Sequence, residues 1–262
     1  MAKVIVMANQ KGGVGKTTST LCVGSVLQKL GFKVLYVDLD KQCNTTSTLK
    51  ADASKMGSYE ILIGDKTAKE CTQYIDEKYF VVSASKQLAL IDDEIRKKNI
   101  SPEEKWQLLN NGLKPVKQYF DFILVDTPPN LSYTTINALY SADYIVITSY
   151  ADMFSIDAIK DMYEVLSTIN CNNKVGGILL TKYVANRNID KFLKDQMSKL
   201  AQEYGTKVYE TTIRSSVAIV ESQFINEDLL DYAPKSNAYV DYIHFVEEIL
   251  RDFKMIGEKK ED

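Results

Sequence analysis

Short apolar runs alternate with longer amphipathic stretches along most of the chain. The runs fall at Val4 to Ala8, Val34 to Val37, Phe80 to Val82, Phe122 to Val125, Tyr144 to Ile147 and Gly177 to Leu180. Each has strand length and is apolar at successive positions, as expected where both faces of a strand are covered. Such strands with helical patterns between them predict an α/β chain: a doubly wound, mostly parallel sheet flanked by helices on both faces. No fixed-period repeat or low-complexity segment breaks the pattern. The connections read as short loops, apart from a polar stretch around Ser54 and a charged one around Asn99 to Glu104. Neither resembles a linker, so residues 1–256 are expected to form one domain, followed by a frayed charged tail over 257–262. A late apolar stripe, Phe245, Val246, Ile249, Leu250 and Phe253, is expected to pack on the sheet.

The first run is followed by Lys11-Gly12-Gly13-Val14-Gly15-Lys16-Thr17-Thr18 and then a helical pattern. This is the context of a phosphate-binding loop, although Asn9 stands where the usual first glycine falls. The glycines let backbone N–H groups turn inward at the positive end of a helix and cradle an anion. In that geometry Lys16 neutralises the β- and γ-phosphates, and the Thr17 hydroxyl enters a magnesium shell. One lysine suffices for an ordinary loop of this kind, so Lys11 needs another task.

Carboxylates at strand ends complete the picture. The second run ends in Asp38-Leu39-Asp40, and Phe122 to Val125 delivers Asp126-Thr127-Pro128-Pro129 to the same sheet edge, a Walker B pattern. Asp126 is expected to hold Mg2+, with Asp38 sharing that duty and Asp40 orienting the attacking water. A single aspartate at a strand end is more often a turn or cap residue; three of them downstream of a phosphate loop point to catalysis.

Composition narrows the chemistry further. The chain has 262 residues and a net charge of −3, which argues against a uniformly basic nucleic-acid coat. Its four cysteines, Cys22, Cys43, Cys71 and Cys171, lack metal or C-x-x-C spacing and read as reduced thiols in a cytoplasmic protein. The lone His244 cannot supply a triad or a multi-histidine metal centre. No signal peptide or membrane-spanning run is expected.

Together, the Lys11 to Thr18 loop, Asp38-Leu39-Asp40 and Asp126-Thr127-Pro128-Pro129 resemble the ParA/MinD class of deviant Walker A, P-loop ATPases, nearly end to end. Gln42-Cys43-Asn44-Thr45-Thr46, Thr135 to Leu139 and Pro234 to Tyr239 resemble the partition ATPases in particular. The resemblance implies that Lys11 reaches across a nucleotide-sandwich homodimer to the partner's phosphates, and that Gly12 permits close approach of the facing loops. It also implies that Thr181-Lys182-Tyr183 and the backbone near Pro234 flank adenine. Gly12, Gly13, Val14, Gly15, Thr17 and Thr18 would complete the ATP site. Two departures fall in the loop that senses hydrolysis: Lys41 replaces a usual proline and Cys43 a common glycine. The chain begins at its first strand, without the winged helix of larger partition ATPases, so binding to a specific operator is not expected.

Between Cys171 and Ser215 there are eight basic residues against four acidic, a local balance of +4 in a chain of net −3. Lys182, Arg187, Lys191, Lys194 and Arg214 are the candidates for sequence-independent DNA contacts, doubled by ATP-driven dimerisation. The plainer alternative is a solvated helix face. Relatives carry further arginines where this chain has Ser215 and Ala218. The implied function is a slow, ATP-dependent, ParB-stimulated partition ATPase that is associated with the nucleoid when bound to ATP. A MinD-like positioning ATPase and a nucleotide-gated scaffold acting without DNA stay open as alternatives. The MinD-like reading requires a membrane-inserting C-terminal helix, which Glu247, Glu248 and Asp252 disfavour. A tyrosine-kinase relative would end in a tyrosine cluster and an iron–sulfur relative would carry interface cysteines; no tyrosine follows Tyr242 in this sequence and no cysteine follows Asp126 in its strand-end loop.

Overall fold

The computed structural model describes residues 1–256; the expected charged tail, 257–262, lies outside the described residues. Eight strands form one sheet: β1 (Lys3–Ala8), β2 (Val34–Asp38), β3 (Thr72–Ile75), β4 (Tyr79–Val82), β5 (Phe122–Asp126), β6 (Tyr144–Ser149), β7 (Val175–Tyr183) and β8 (Ile213–Arg214). Their order is β3-β4-β2-β5-β1-β6-β7-β8, and only the β3/β4 pair is antiparallel. The chain runs outward from β1 in both directions, so the switch point lies at the carboxyl end of β1, where the loop begins.

Alternation along β1 builds both halves of the core. Val4, Val6 and Ala8 join one apolar cluster; Ile5 and Met7 join the other. The first cluster is closed by helices that include Met153–Thr168 and Asn188–Glu203. The second is closed by the first helix, Lys16–Lys29, and the last, Asn237–Asp252. In the last helix Phe245, Val246, Ile249 and Leu250 are all buried, while Phe253 packs its ring 4.9 Å from that of Tyr144. Each buried side chain is worth about 1.5–3 kcal/mol, so this apolar face is committed to the core. Glu248 is also buried and accepts hydrogen bonds from the Glu210 and Thr211 N–H groups at 3.1 and 2.8 Å. No described helix is long and apolar enough to cross a membrane.

All six apolar runs are strands. The two remaining strands carry weak signals: β3 is a short, half-polar edge strand, and β8 has two residues. Part of the charged stretch read as a loop is helical, Pro102–Trp106. Its start is a Ser-x-x-Glu capping box, with Ser101 Oγ accepting from Glu104 N at 3.2 Å and Glu104 accepting from Ser101 N at 2.8 Å.

Candidate nucleotide site

The loop after β1 is fixed before it meets any ligand. Gly13 and Gly15 adopt left-handed backbone angles, φ +76° and +87°, which a side chain at either position would strain. Asn9, in place of the usual glycine, is 2% exposed and ties the loop to β6. It donates to the Thr148 carbonyl at 2.7 Å and accepts from the Lys11 N–H at 2.9 Å. Thr181 Oγ1 at the end of β7 donates to the Val14 carbonyl at 3.0 Å, and the Tyr150 hydroxyl donates to the Gly13 carbonyl. Thr181 and Lys182 belong to β7, and Lys182 takes φ +51° and lies over the Tyr150 ring at 4.9 Å.

The two lysines are held in opposite settings. Lys16 is buried and donates from Nζ to the Lys11 carbonyl at 3.0 Å; burial pulls its pKa down, partly restored by Asp126 and Asp40. Lys11 is partly exposed and its Nζ pairs with Asp152 Oδ2 at 2.7 Å. Asp152 also caps the Met153–Thr168 helix through Oδ1, which accepts from Ser155 N at 2.8 Å. The Asp-x-x-Ser pattern marks this cap in the sequence, but nothing local marks the pairing with Lys11, 141 residues away.

Asp38 and Asp126 face each other in register at the ends of β2 and β5, and both are fully buried. Both Asp38 oxygens are engaged: Oδ1 accepts from Asp40 N at 3.0 Å, and Oδ2 from Thr46 N and Oγ1 at 2.9 and 2.7 Å. Asp126 Oδ2 accepts from Thr45 Oγ1 at 2.8 Å, whereas Oδ1 is buried without a hydrogen-bond partner. Burial pushes both carboxyls up; the Asp38 charge pushes Asp126 further, and Thr17 and Thr45 partly offset it. An unpartnered carboxylate oxygen among hydroxyls suits a hard divalent cation. No group of three or more His, Cys, Asp or Glu side chains that could hold a metal exists among the described residues, so Thr17 and Asp126 would need phosphate and water oxygens to complete the shell. Asp38, expected as a co-ligand, is placed to pin the loop after β2. In that loop Cys43 adopts φ +56°, the conformation a glycine would take at less cost.

Because both carboxyls bind protons more readily in the folded chain, their stabilising contribution is present below the ordinary carboxylate range and lost as pH rises through the raised values. The nucleotide-free protein is expected to melt lower at pH 8 than at pH 6 from this source, and Asp126→Asn to flatten that slope. Thermal melts of both proteins at the two pH values, with and without Mg2+ and a nonhydrolysable nucleotide, check this.

These residues open onto a cavity of about 590 Å³. Gly12, Gly13, Gly15, Lys16, Thr17, Thr18 and Asp40 line it, and Leu21, Ile213, Ile219, Leu229 and Tyr242 add apolar wall suited to a base beside the polar Arg214, Gln223 and Glu227. Thr181 and Lys182 also line it. Pro234, expected beside the base, does not, because the wall there is built by the Val217–Phe224 helix, Leu229 and Tyr242.

A family model described as an AAA domain matches residues 2–176. Over 257 residues the chain is 32% identical to the sporulation initiation inhibitor protein Soj of Bacillus subtilis, covering 95% of this chain and 98% of that one. The chain belongs to the ParA/Soj family of partition ATPases. Among solved structures, a plasmid partition protein of Borrelia burgdorferi bound to AMPPNP is similar with TM-score 0.78 at 25% identity, over 98% of this chain and 100% of the other. Cobyrinic acid a,c-diamide synthase of Mycobacterium smegmatis with bound ADP and magnesium is similar with TM-score 0.80 at 25% identity, over 97% and 96% of the two chains.

The basic candidates of this family member separate into distinct settings. Arg187 and Lys191 are exposed at the start of the Asn188–Glu203 helix, and neither forms an ion pair among the described residues. Lys194 is half-buried and donates to the Glu210 carbonyl at 3.2 Å. Arg214 is not a free cation. It forks onto Asp241 at 2.7 to 3.1 Å, because that carboxylate, largely buried on the last helix, requires a partner.

Proposed function

We propose that two copies of this chain dimerise around two Mg·ATP, bind DNA without sequence preference as a dimer, and release it on slow hydrolysis stimulated by a ParB-type partner. The cycle segregates plasmid, chromosome or mobile-element DNA from a cytoplasmic, nucleoid-associated location. Residues 1–256 act as one ATPase domain in this reading. The observation that carries it is the division of labour between the lysines: Lys16 is sealed inside the loop, and Lys11 sits at its outer rim.

The loop amides and Lys16 bind the phosphates, and Thr17 and Asp126 hold Mg2+, whose chemistry is to neutralise developing charge on the β- and γ-oxygens. Asp40 lines the cavity and is held by the Gln42 N–H at 2.9 Å, so its carboxylate is set to orient a water. At Gly12 a Cβ would meet only Pro129 Cβ at 3.7 Å, ordinary contact, so packing within the protomer does not itself require glycine there; in the proposed dimer its lack of a side chain would let the facing loops approach. The apolar face of the last helix is buried in the core, which supports this reading over a MinD-like membrane cycle using that helix.

The DNA step is tested by interferometry on unrelated duplexes with ATP, ADP or no nucleotide. Binding is expected to be at least tenfold tighter with ATP than in the other states, and to weaken steeply with salt. Substituting Arg187 and Lys191 by alanine is expected to remove most of it; equal binding in all three nucleotide states would refute the switch.

A further inference from the structure

Two segments far apart in the chain wall the cavity beyond the phosphate loop. Leu21 and Cys22 come from the first helix, and Asn226, Glu227 and Leu229 from the turn that leads into the short Leu229–Tyr232 helix. Ser25 lies three and four residues after Cys22 and Leu21, on the same helix face. Its Oγ donates to Oδ2 of Asp228, which stands between Glu227 and Leu229 in sequence and 203 residues from Ser25. One bond therefore fastens the two walls together.

Asp228 is a costly residue for this place. It is 3% exposed, with the buried Cys22 and Tyr36 beside it. No lysine or arginine pairs with it among the described residues, and the nearby Lys78 is held by Asp231 at 2.7 Å. Burial pushes its pKa up, and the bonds from Ser25 and the Leu230 N–H only partly offset this. A carboxylate sealed away without a counter-ion is a poor stabiliser. Oδ1 accepts from the Leu230 N–H at 2.8 Å and caps the short helix, a task that a serine could perform. The second oxygen is spent on the tie to Ser25.

The tie acts away from the reacting groups. A helix rises 1.5 Å per residue, so Ser25 lies about 12 Å along the first helix from Thr17. Neither Ser25 nor Asp228 lines the nucleotide cavity, whereas the residues on both sides of Asp228 do. The helix that begins at the phosphate loop thus also carries the anchor of the far wall.

We propose that Asp228, through its bond to Ser25, is a positioning residue that sets the spacing of the nucleoside end of the cavity, holding Glu227 and Leu229 against a nucleotide whose phosphates the loop binds. This rests on the nucleotide-binding reading and adds to it the device that holds the nucleoside.

Ser25→Ala and Asp228→Ser, which keeps the cap, are each expected to weaken binding of a fluorescent ATP analogue about fivefold, the worth of one hydrogen bond. Steady-state hydrolysis is expected to show the change in KM for ATP rather than in kcat. Inorganic tripolyphosphate fills the phosphate end alone, so its inhibition constant, read by displacement of the analogue, is expected to be the same in parent and variants. Asp228→Asn keeps the cap through its oxygen and can donate to Ser25 Oγ from its amide, so it is expected to bind the analogue within about twofold of the parent. The double variant Ser25→Ala with Asp228→Ser is expected to be no weaker than the single variants, because both remove the same bond. The proposal is overturned if either single variant binds the analogue as the parent does, if tripolyphosphate weakens in step with ATP, which marks a general loosening of the fold, or if the two losses add in the double variant. Failure of the parent chain to bind the ATP analogue overturns the nucleotide reading instead.

Discussion

Lys11→Ala is expected to abolish ATP-driven dimerisation and turnover while each monomer still binds nucleotide to within about threefold. In the isolated chain the Lys11 ammonium does not hold the phosphate loop together. It pairs with Asp152 at the rim, and only its backbone carbonyl, which alanine retains, receives Lys16. In the proposed dimer two triphosphates and two ions would face each other, and a cation lent by each protomer would offset the repulsion. Removing one partner of a desolvated charge pair costs about 3–5 kcal/mol, less where water screens it, and two-fold symmetry imposes the loss twice. Even at about 2 kcal/mol per site the dimerisation constant falls by roughly three powers of ten. Sedimentation velocity with AMPPNP, titration with a fluorescent ATP analogue and steady-state hydrolysis together read the three quantities. Persistence of the dimer in the variant would remove the exchange of lysines between protomers.

Asp152 makes this contact competitive. In the proposed dimer the partner's phosphates would have to draw Lys11 away from a carboxylate that already holds it at 2.7 Å, and Asp152 in turn is held by its helix cap. Because the pair is about one-third exposed, solvent weakens it, and multiply charged phosphate outbids a single carboxylate.

The legibility of the chain followed the physics of each element. Strands buried on both faces write themselves as apolar runs, and β1, β2, β4, β5, β6 and β7 were readable for that reason. The phosphate loop was readable because its backbone demands glycine at Gly13 and Gly15. Contacts between distant segments leave no local pattern: the Lys11 to Asp152 pair, the Tyr150 clamp on the loop and the Gln223 bond to Thr18 depend on which strand ends the topology brings together. Arg214 shows the converse limit. Its charge was visible in the sequence, but not the buried Asp241 that claims it. Pro234 does not line the cavity, whose wall includes the Val217–Phe224 helix, and the exposed apolar residues of that helix give it no clear periodic signal.

Asp40→Ala is expected to reduce hydrolysis by 10²–10⁴-fold, the usual worth of a positioned base or water-orienting group, and to trap the ATP-bound dimer on DNA. The expectation follows from the different tasks of the three carboxylates. Asp38 spends both oxygens on Thr46 and the Asp40 N–H, so its loss would unfasten the loop after β2. Asp126 carries the free oxygen that suits a cation, so its loss would weaken nucleotide binding itself. Asp40 alone lines the cavity and makes one bond, to the Gln42 N–H, through a single oxygen. Alanine there removes a carboxylate that lines the cavity and leaves the Asp38 contact with the Asp40 N–H, which is backbone. Binding and dimerisation should therefore survive while the chemical step fails, giving a lower kcat with an unchanged or tighter affinity for ATP. Single-turnover hydrolysis and dissociation from duplex DNA after ATP loading separate the outcomes. Hydrolysis at the parent rate would transfer the water-orienting role away from Asp40, and weakened dimerisation would mean that Asp40 supports the interface rather than the reaction.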